Sequence, residues 1–179
     1  MKILLIAVGT LAGLFALVWI CGMMLPSRHV ASRSLRLAKP PEEVWTLLAD
    51  FASYGKWAPE VNGTSRLADH NGHPVWALEG KWAMPLELET VEPPRRLVTR
   101  IADPRLPFGG TWTWEVSADG AGTRVDVTER GEIKAPVFRV LTRFVFGYTS
   151  TMDAYLKAMA RHFGEAAAPM SVRQELTGF

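Results

Sequence analysis

The chain has 179 residues, room for one ordinary domain with additions at its ends. Its 48% apolar and 21% charged residues are those of a folded protein, and a net charge of +2 without a concentrated basic run gives no case for nucleic acid. A single cysteine, Cys21, excludes a disulfide within the chain.

The first element is apolar throughout. Residues 3–25 carry no charged side chain, which satisfies the length and apolarity of a membrane-spanning helix; Lys2 precedes the run and Pro26 ends it. The rival is a cleaved secretory signal, whose apolar stretch is about 7–15 residues and whose cleavage site is small-x-small. This run is longer, Leu25-Pro26-Ser27 is a poor cleavage site, and Ile20 before Cys21 does not suit a lipoprotein. The expectation is an uncleaved single-pass anchor, with residues 1–27 as anchor and tether and the membrane engaged through 3–25. Arg28, Arg33, Arg36 and Lys39 follow the span, against Lys2 before it, so the positive-inside rule puts the domain in the cytoplasm. Gly9 and Gly13 form a GxxxG, the spacing that lets two spans pair as a homodimer, although small residues are common in such helices anyway.

Residues 29–38 read as a strand with Leu35 and Leu37 on one face. Pro40-Pro41-Glu42-Glu43 then opens a helix, since proline is tolerated in the first turn and the carboxylates suit its positive end. Val44, Trp45, Leu48 and Phe51 give this helix an apolar face. A second short helix is expected over 52–57, stopped by Pro59, and Asn62-Gly63 and Asn71-Gly72 mark turns. The pattern next switches to period two. Trp76 and Leu78 share a face, as do Trp82, Met84, Leu86 and Leu88, then Leu97 and Ile101, then Trp112, Trp114 and Val116, then Val125 and Val127. Alternate positions hold Glu87, Glu89, Arg100, Glu115, Arg124, Asp126 and Arg130, which predicts an antiparallel sheet with one wet face and one aromatic face.

The last periodic stretch is helical. Val137, Leu141, Phe144, Tyr148, Met152, Tyr155, Met159 and Phe163 recur at steps of three and four, one stripe on a helix of about 40 Å, weakened only at Gly147. Phe146 falls off this stripe, beside Arg139 and Arg143. It either forms a membrane-touching patch with Leu106-Pro107-Phe108 or is covered by a neighbouring loop, and the covering loop is the expectation. Residues 165–179 lose periodicity and read as a loose tail.

That order resembles the helix-grip fold of the START-like (Bet v1-like, SRPBCC) superfamily, within it the polyketide cyclase/dehydrase type. Pro41-Glu42-Glu43-Val44-Trp45, Leu47-Leu48-Ala49-Asp50-Phe51, Tyr54 and Trp57-Ala58-Pro59 are similar to its two-helix signature. Gly122-Thr123-Arg124-Val125, Thr128-Glu129 and Gly131 are similar to its last hairpin and strand. The resemblance implies an α+β domain over 28–164, in which a curved antiparallel sheet of about seven strands and two short helices grip a long C-terminal helix. It also implies an apolar ligand between sheet and helix, such as a lipid, sterol, quinone or polyketide. The family has no universal catalytic residues, so none is carried over, and no cofactor is implied.

Read for chemistry, the inner-face positions Trp76, Trp82, Met84, Thr99, Trp112 and Trp114, with Phe144, Tyr148, Met152 and Tyr155 from the helix, are the candidate ligand-pocket residues. Those tryptophans either line the pocket or fill it. His70-Asn71-Gly72-His73 reads as a polar turn rather than a metal pair, because metal sites need three or four convergent ligands. No nucleophile elbow, HExxH or phosphate-binding glycine loop is present. The expected partner is a hydrophobic small molecule. A cyclase or dehydratase acting on a polyketide-like substrate is the alternative, and an interaction module with a filled core is the third.

Overall fold

A computed structural model describes residues 1–81 and 83–172 of the chain. The order is α1 (Lys2–Met24), β1 (Arg28–Leu37), α2 (Pro41–Ala49), a single tight turn (Phe51–Ser53), α3 (Tyr54–Trp57) and then six strands. These are β2 (Val61–His70), β3 (His73–Gly80), β4 (Met84–Glu92), β5 (Arg96–Ile101), β6 (Phe108–Asp119) and β7 (Gly122–Ile133). After them come α4 (Pro136–Leu141), a wide π-helical turn (Thr142–Phe146), α5 (Ser150–His162) and a short edge strand, β8 (Met170–Ser171).

The strands form one antiparallel sheet in the order β2-β3-β4-β5-β6-β7-β1-β8, so β1 closes the meander beside β7. Period two decides the faces. Leu35 and Leu37, Val125 and Val127, Trp114 and Val116, and Leu97 point to the inner face and are buried against Met152, Leu156 and Met159 of α5. The three α5 side chains are fully buried, so this half of the interior is packed. Arg33 shares that face. Its Nε lies 2.9 Å from Asp153 in the first turn of α5, and its Nη2 donates to Thr149 Oγ1 at 3.1 Å, which pins the start of the helix to β1.

The two-helix segment has a structural task. Pro41 stands in the first turn of α2, Glu42 and Glu43 at its positive end, and Val44, Trp45, Leu47 and Leu48 are buried. The buried Tyr54 hydroxyl donates to the Leu48 carbonyl at 2.6 Å, and the Thr64 hydroxyl donates to the Phe51 carbonyl at 2.9 Å. Those bonds fasten the chain reversal between α2 and β2.

Three expectations are corrected. The C-terminal stretch is not one rod. It breaks at Gly147, whose φ of +76° is comfortable only for glycine, and the wide turn before it rotates the stripe out of register. Phe144, expected on the inner stripe, is consequently 72% exposed. No loop covers Phe146 either, which is 58% exposed. Finally, the tail lies back on the domain as far as it is described: the Glu165 carboxylate accepts from the Ala38 amide, and Met170–Ser171 pairs with β1.

The segment Pro136–Leu141 turns away from the sheet because it packs on α1. A Cβ at Gly22 would lie 2.1 Å from the Pro136 carbonyl oxygen, so the two backbones touch there. The Arg139 guanidinium sits in this joint. It donates to the Ile133 carbonyl at 2.8 Å and the Lys134 carbonyl at 3.0 Å, and reaches the Gly22 and Leu25 carbonyls at 3.4 Å. A cation there also answers the negative end of the α1 dipole. The tether is held as well, since the Ile133 amide donates to the Ser27 carbonyl at 2.7 Å.

Candidate functional site

The inner face of the sheet has two halves. Beyond the packed half, toward the C-terminal end of α1, several inner-face side chains become half-buried. Register places them in two rows. Ala31, Glu129, Trp112, Thr99 and Leu88 follow one another across β1, β7, β6, β5 and β4. In the next row His29 stands opposite Gly131, which pairs with Gly110, while Ile101 pairs with Leu86 and Leu86 with Trp76. Trp76, Leu86 and Trp112 rest on the buried core while keeping part of their surface exposed. Across the space between sheet and helix stands Tyr155. Its ring meets Trp112 edge-on at 5.4 Å and Trp57 edge-on at 6.1 Å, and lies tilted 6.5 Å from Trp114.

The floor of the outer row is bare backbone. At Gly110, φ is +134° and a Cβ would lie 2.3 Å from the Arg130 carbonyl oxygen, so only glycine fits. Over Gly131 lies the His29 imidazole, with Tyr148 stacked on it at a centroid distance of 4.3 Å and 30° between planes. The Glu129 carboxylate Oε1 is 3.7 Å from His29 Nε2. A polar pair thus stands next to the half-buried aromatic side chains of the inner face.

The structure treats the ten expected pocket residues unequally. Trp76, Met84, Trp112, Tyr148 and Tyr155 are half-buried around the open half, and Thr99 is buried within it. Trp114 and Met152 belong to the packed half, where they fill space. Phe144 faces outward, and Trp82 lies outside the described residues. Of these described indoles, Trp114 is buried while Trp76 and Trp112 stay half-buried. A separate open groove of about 460 Å³ runs between α2 and the end of α5, with Glu43, Asp50 and Lys56 at its rim.

Burial pushes the Tyr155 hydroxyl up to about 12, with the Glu60 carboxylate adding to the effect. That direction is away from neutrality and makes the phenol a poorer proton donor at ordinary pH, which suits a hydrogen-bonding wall better than a general acid. His70 Nδ1 lies 3.0 Å from the buried Glu87 carboxylate on the outer face. No group of three or more His, Cys, Asp or Glu among the described residues is placed to hold a metal.

Comparison with known proteins follows the same lines. The pattern of the family described as polyketide cyclase/dehydrase and lipid transport matches residues 28–164. The chain belongs to that family. Among solved structures, a protein from Thermobifida fusca is similar at TM-score 0.60 and 22% identity, over 75% of this chain and 93% of that one. A START superfamily protein from Mycobacterium smegmatis gives TM-score 0.60 at 20% identity, over 75% and 96%. The Zhui aromatase/cyclase from a Streptomyces species gives TM-score 0.59 at 16% identity, over 75% and 93%. At such identities the likeness establishes the START-like helix grip and not an activity. No curated protein matches the chain.

Within this START-like frame, His29 and Glu129 are the inner-face residues that sequence reasoning passed over. The signal was parity. His29 shares its face with Leu35 and Leu37, and Glu129 shares its face with Val125 and Val127, so both had to point inward.

Proposed function

We propose that this chain is a membrane-anchored binding protein for a hydrophobic small molecule, held in the open half of the helix grip and exchanged with the bilayer. The reading is supported by where the half-buried part of the inner face lies. The row of His29, Gly131 and Gly110 is next to the tether and to the joint between α1 and α4. A pocket mouth beside the end of a spanning helix sits at headgroup level, so an apolar guest would cross little water. Two further features support it. The 23-residue helix α1 contains an 18-residue window of mean hydropathy 2.6, none of it buried by the domain. Beside it, Phe138, Phe144, Val145 and Phe146 are all exposed, an apolar cluster of the kind that enters an interface.

The test is to extract the full chain in mild detergent and identify co-purified small molecules by mass spectrometry. We expect recovery of an apolar compound, reduced when Trp112→Glu places a charge on this face, the proposed trough. Repeated recovery of nothing above the background of an unrelated single-span protein would refute the binding role.

The second reading is a cyclase- or dehydratase-type enzyme, favoured by an imidazole and a carboxylate facing the same space. It predicts that a bound polyketide-like substrate is returned chemically changed.

A further inference from the structure

Two polar atoms converge above Gly131. A Cβ at that position would lie 2.3 Å from His29 Cε1, 2.6 Å from His29 Nε2 and 3.0 Å from Glu129 Oε1. The glycine is therefore what lets the imidazole and the carboxylate come together over the sheet. Both side chains are largely covered, with 12% and 23% of their surface exposed. Their facing atoms are 3.7 Å apart, too far for a hydrogen bond between them, and neither makes a side-chain hydrogen bond to another described residue. Tyr148, stacked on the imidazole, fixes its plane. So a donor and an acceptor are held side by side over Gly131, without a hydrogen bond between them.

We propose that His29 and Glu129 are a head-group clasp that selects apolar ligands ending in a hydroxyl, an alcohol or a phenol. The assignment rests on the binding role proposed above. A hydroxyl is the group that is donor and acceptor at once: its proton goes to Glu129 Oε1, and its lone pair accepts from His29 Nε2–H. An oxygen about 2.8 Å from each atom spans the 3.7 Å gap without moving either side chain. A ketone fills only the imidazole's half and sets its oxygen against the carboxylate. A hydrocarbon end leaves both groups covered and unpaired, which is the arrangement that discriminates most strongly against an analogue lacking the polar group. The neighbouring Trp112, opposite Glu129 in the register, supplies the apolar wall for the body of such a ligand.

The experiment uses the full chain in nanodiscs and equilibrium dialysis of two probes of similar size, β-naphthol and β-methylnaphthalene, each corrected with empty nanodiscs. The wild-type chain should hold β-naphthol about tenfold more tightly, the ratio expected when one charge-assisted hydrogen bond of about 1.4 kcal/mol is made by one probe alone. His29→Phe, which keeps a ring to stack on Tyr148, removes one of the two hydrogen bonds, and Glu129→Gln removes the charge from the other, so each should lower the ratio and the double variant should bring it close to one. Gly131→Ala, by driving the imidazole aside, should lower it too. Equal binding of the two probes by the wild type, or a preference that survives the double variant, overturns the clasp while leaving the binding role standing. Failure of the wild type to hold either probe overturns both.

Discussion

Tyr155 stands where Trp57, Trp112 and Trp114 meet, and its burial has a measurable consequence. With its folded value pushed up to about 12 from an ordinary value near 10, the native state holds the phenolic proton more tightly than the unfolded chain does. The stabilisation is complete below pH 10 and is lost as pH rises through 12. A two-unit difference corresponds to roughly 2–3 kcal/mol. The buried Tyr54 hydroxyl is raised in the same direction by burial, so it adds to the alkaline loss. Tyr155→Phe should flatten this limb: between pH 10 and 12 the wild type should lose about 2 kcal/mol more than the variant in urea melts. Parallel curves would show that the hydroxyl is wetter than its surroundings suggest. The same scale shows what strand parity can reveal. Alternation from Val125 and Val127 puts Glu129 inside, as alternation from Leu35 and Leu37 puts His29 inside. Treating charged residues as an outer-face set hid that result. What no pattern could show is their meeting over Gly131, since β1 and β7 are about a hundred residues apart.

Elements were legible where one force decides them. Period two placed the strands, and proline with two carboxylates placed the start of α2, because backbone and burial agree at those points. The C-terminal stretch was not, and the reason is a competing surface. Helical spacing alone continues through 136–163, but Pro136–Leu141 packs on α1 and Gly147 takes a positive φ, so the segment bends out over the end of the sheet. Phe144, Val145 and Phe146 then face outward at 72%, 66% and 58% exposure. Our reading is that lipid covers them. In a Cys21→Ser background, a spin label at Val145→Cys in nanodiscs should be relaxed more by oxygen than by a water-soluble nickel chelate. The reverse order would place the turn in water and remove the membrane contact.

At the scale of the whole molecule, the proposed anchoring raises the question of how the domain would be aimed at a bilayer. A tether of three residues limits reach, but a free tether would still let the trough face any direction. Here the freedom is removed twice. The backbones of Gly22 and Pro136 touch, and Arg139 bridges carbonyls of the tether region and the end of β7. If span and domain form one body, the mouth of the trough keeps one orientation relative to α1, and ligand exchange with lipid follows from geometry. The single native cysteine, exposed at Cys21, allows this to be measured with one further site, Arg143→Cys, on the exposed turn. Spin labels at the two positions should give a narrow distance distribution by pulsed EPR in nanodiscs. Gly22→Leu cannot fit, because even a Cβ would lie 2.1 Å from the Pro136 oxygen. It should broaden the distribution severalfold while the thermal melt of the domain moves little, since Leu35, Leu97, Val127, Met152 and Leu156 are buried elsewhere. A distribution already broad in the wild type would mean that the joint opens in the membrane, and the trough would then have no fixed aim.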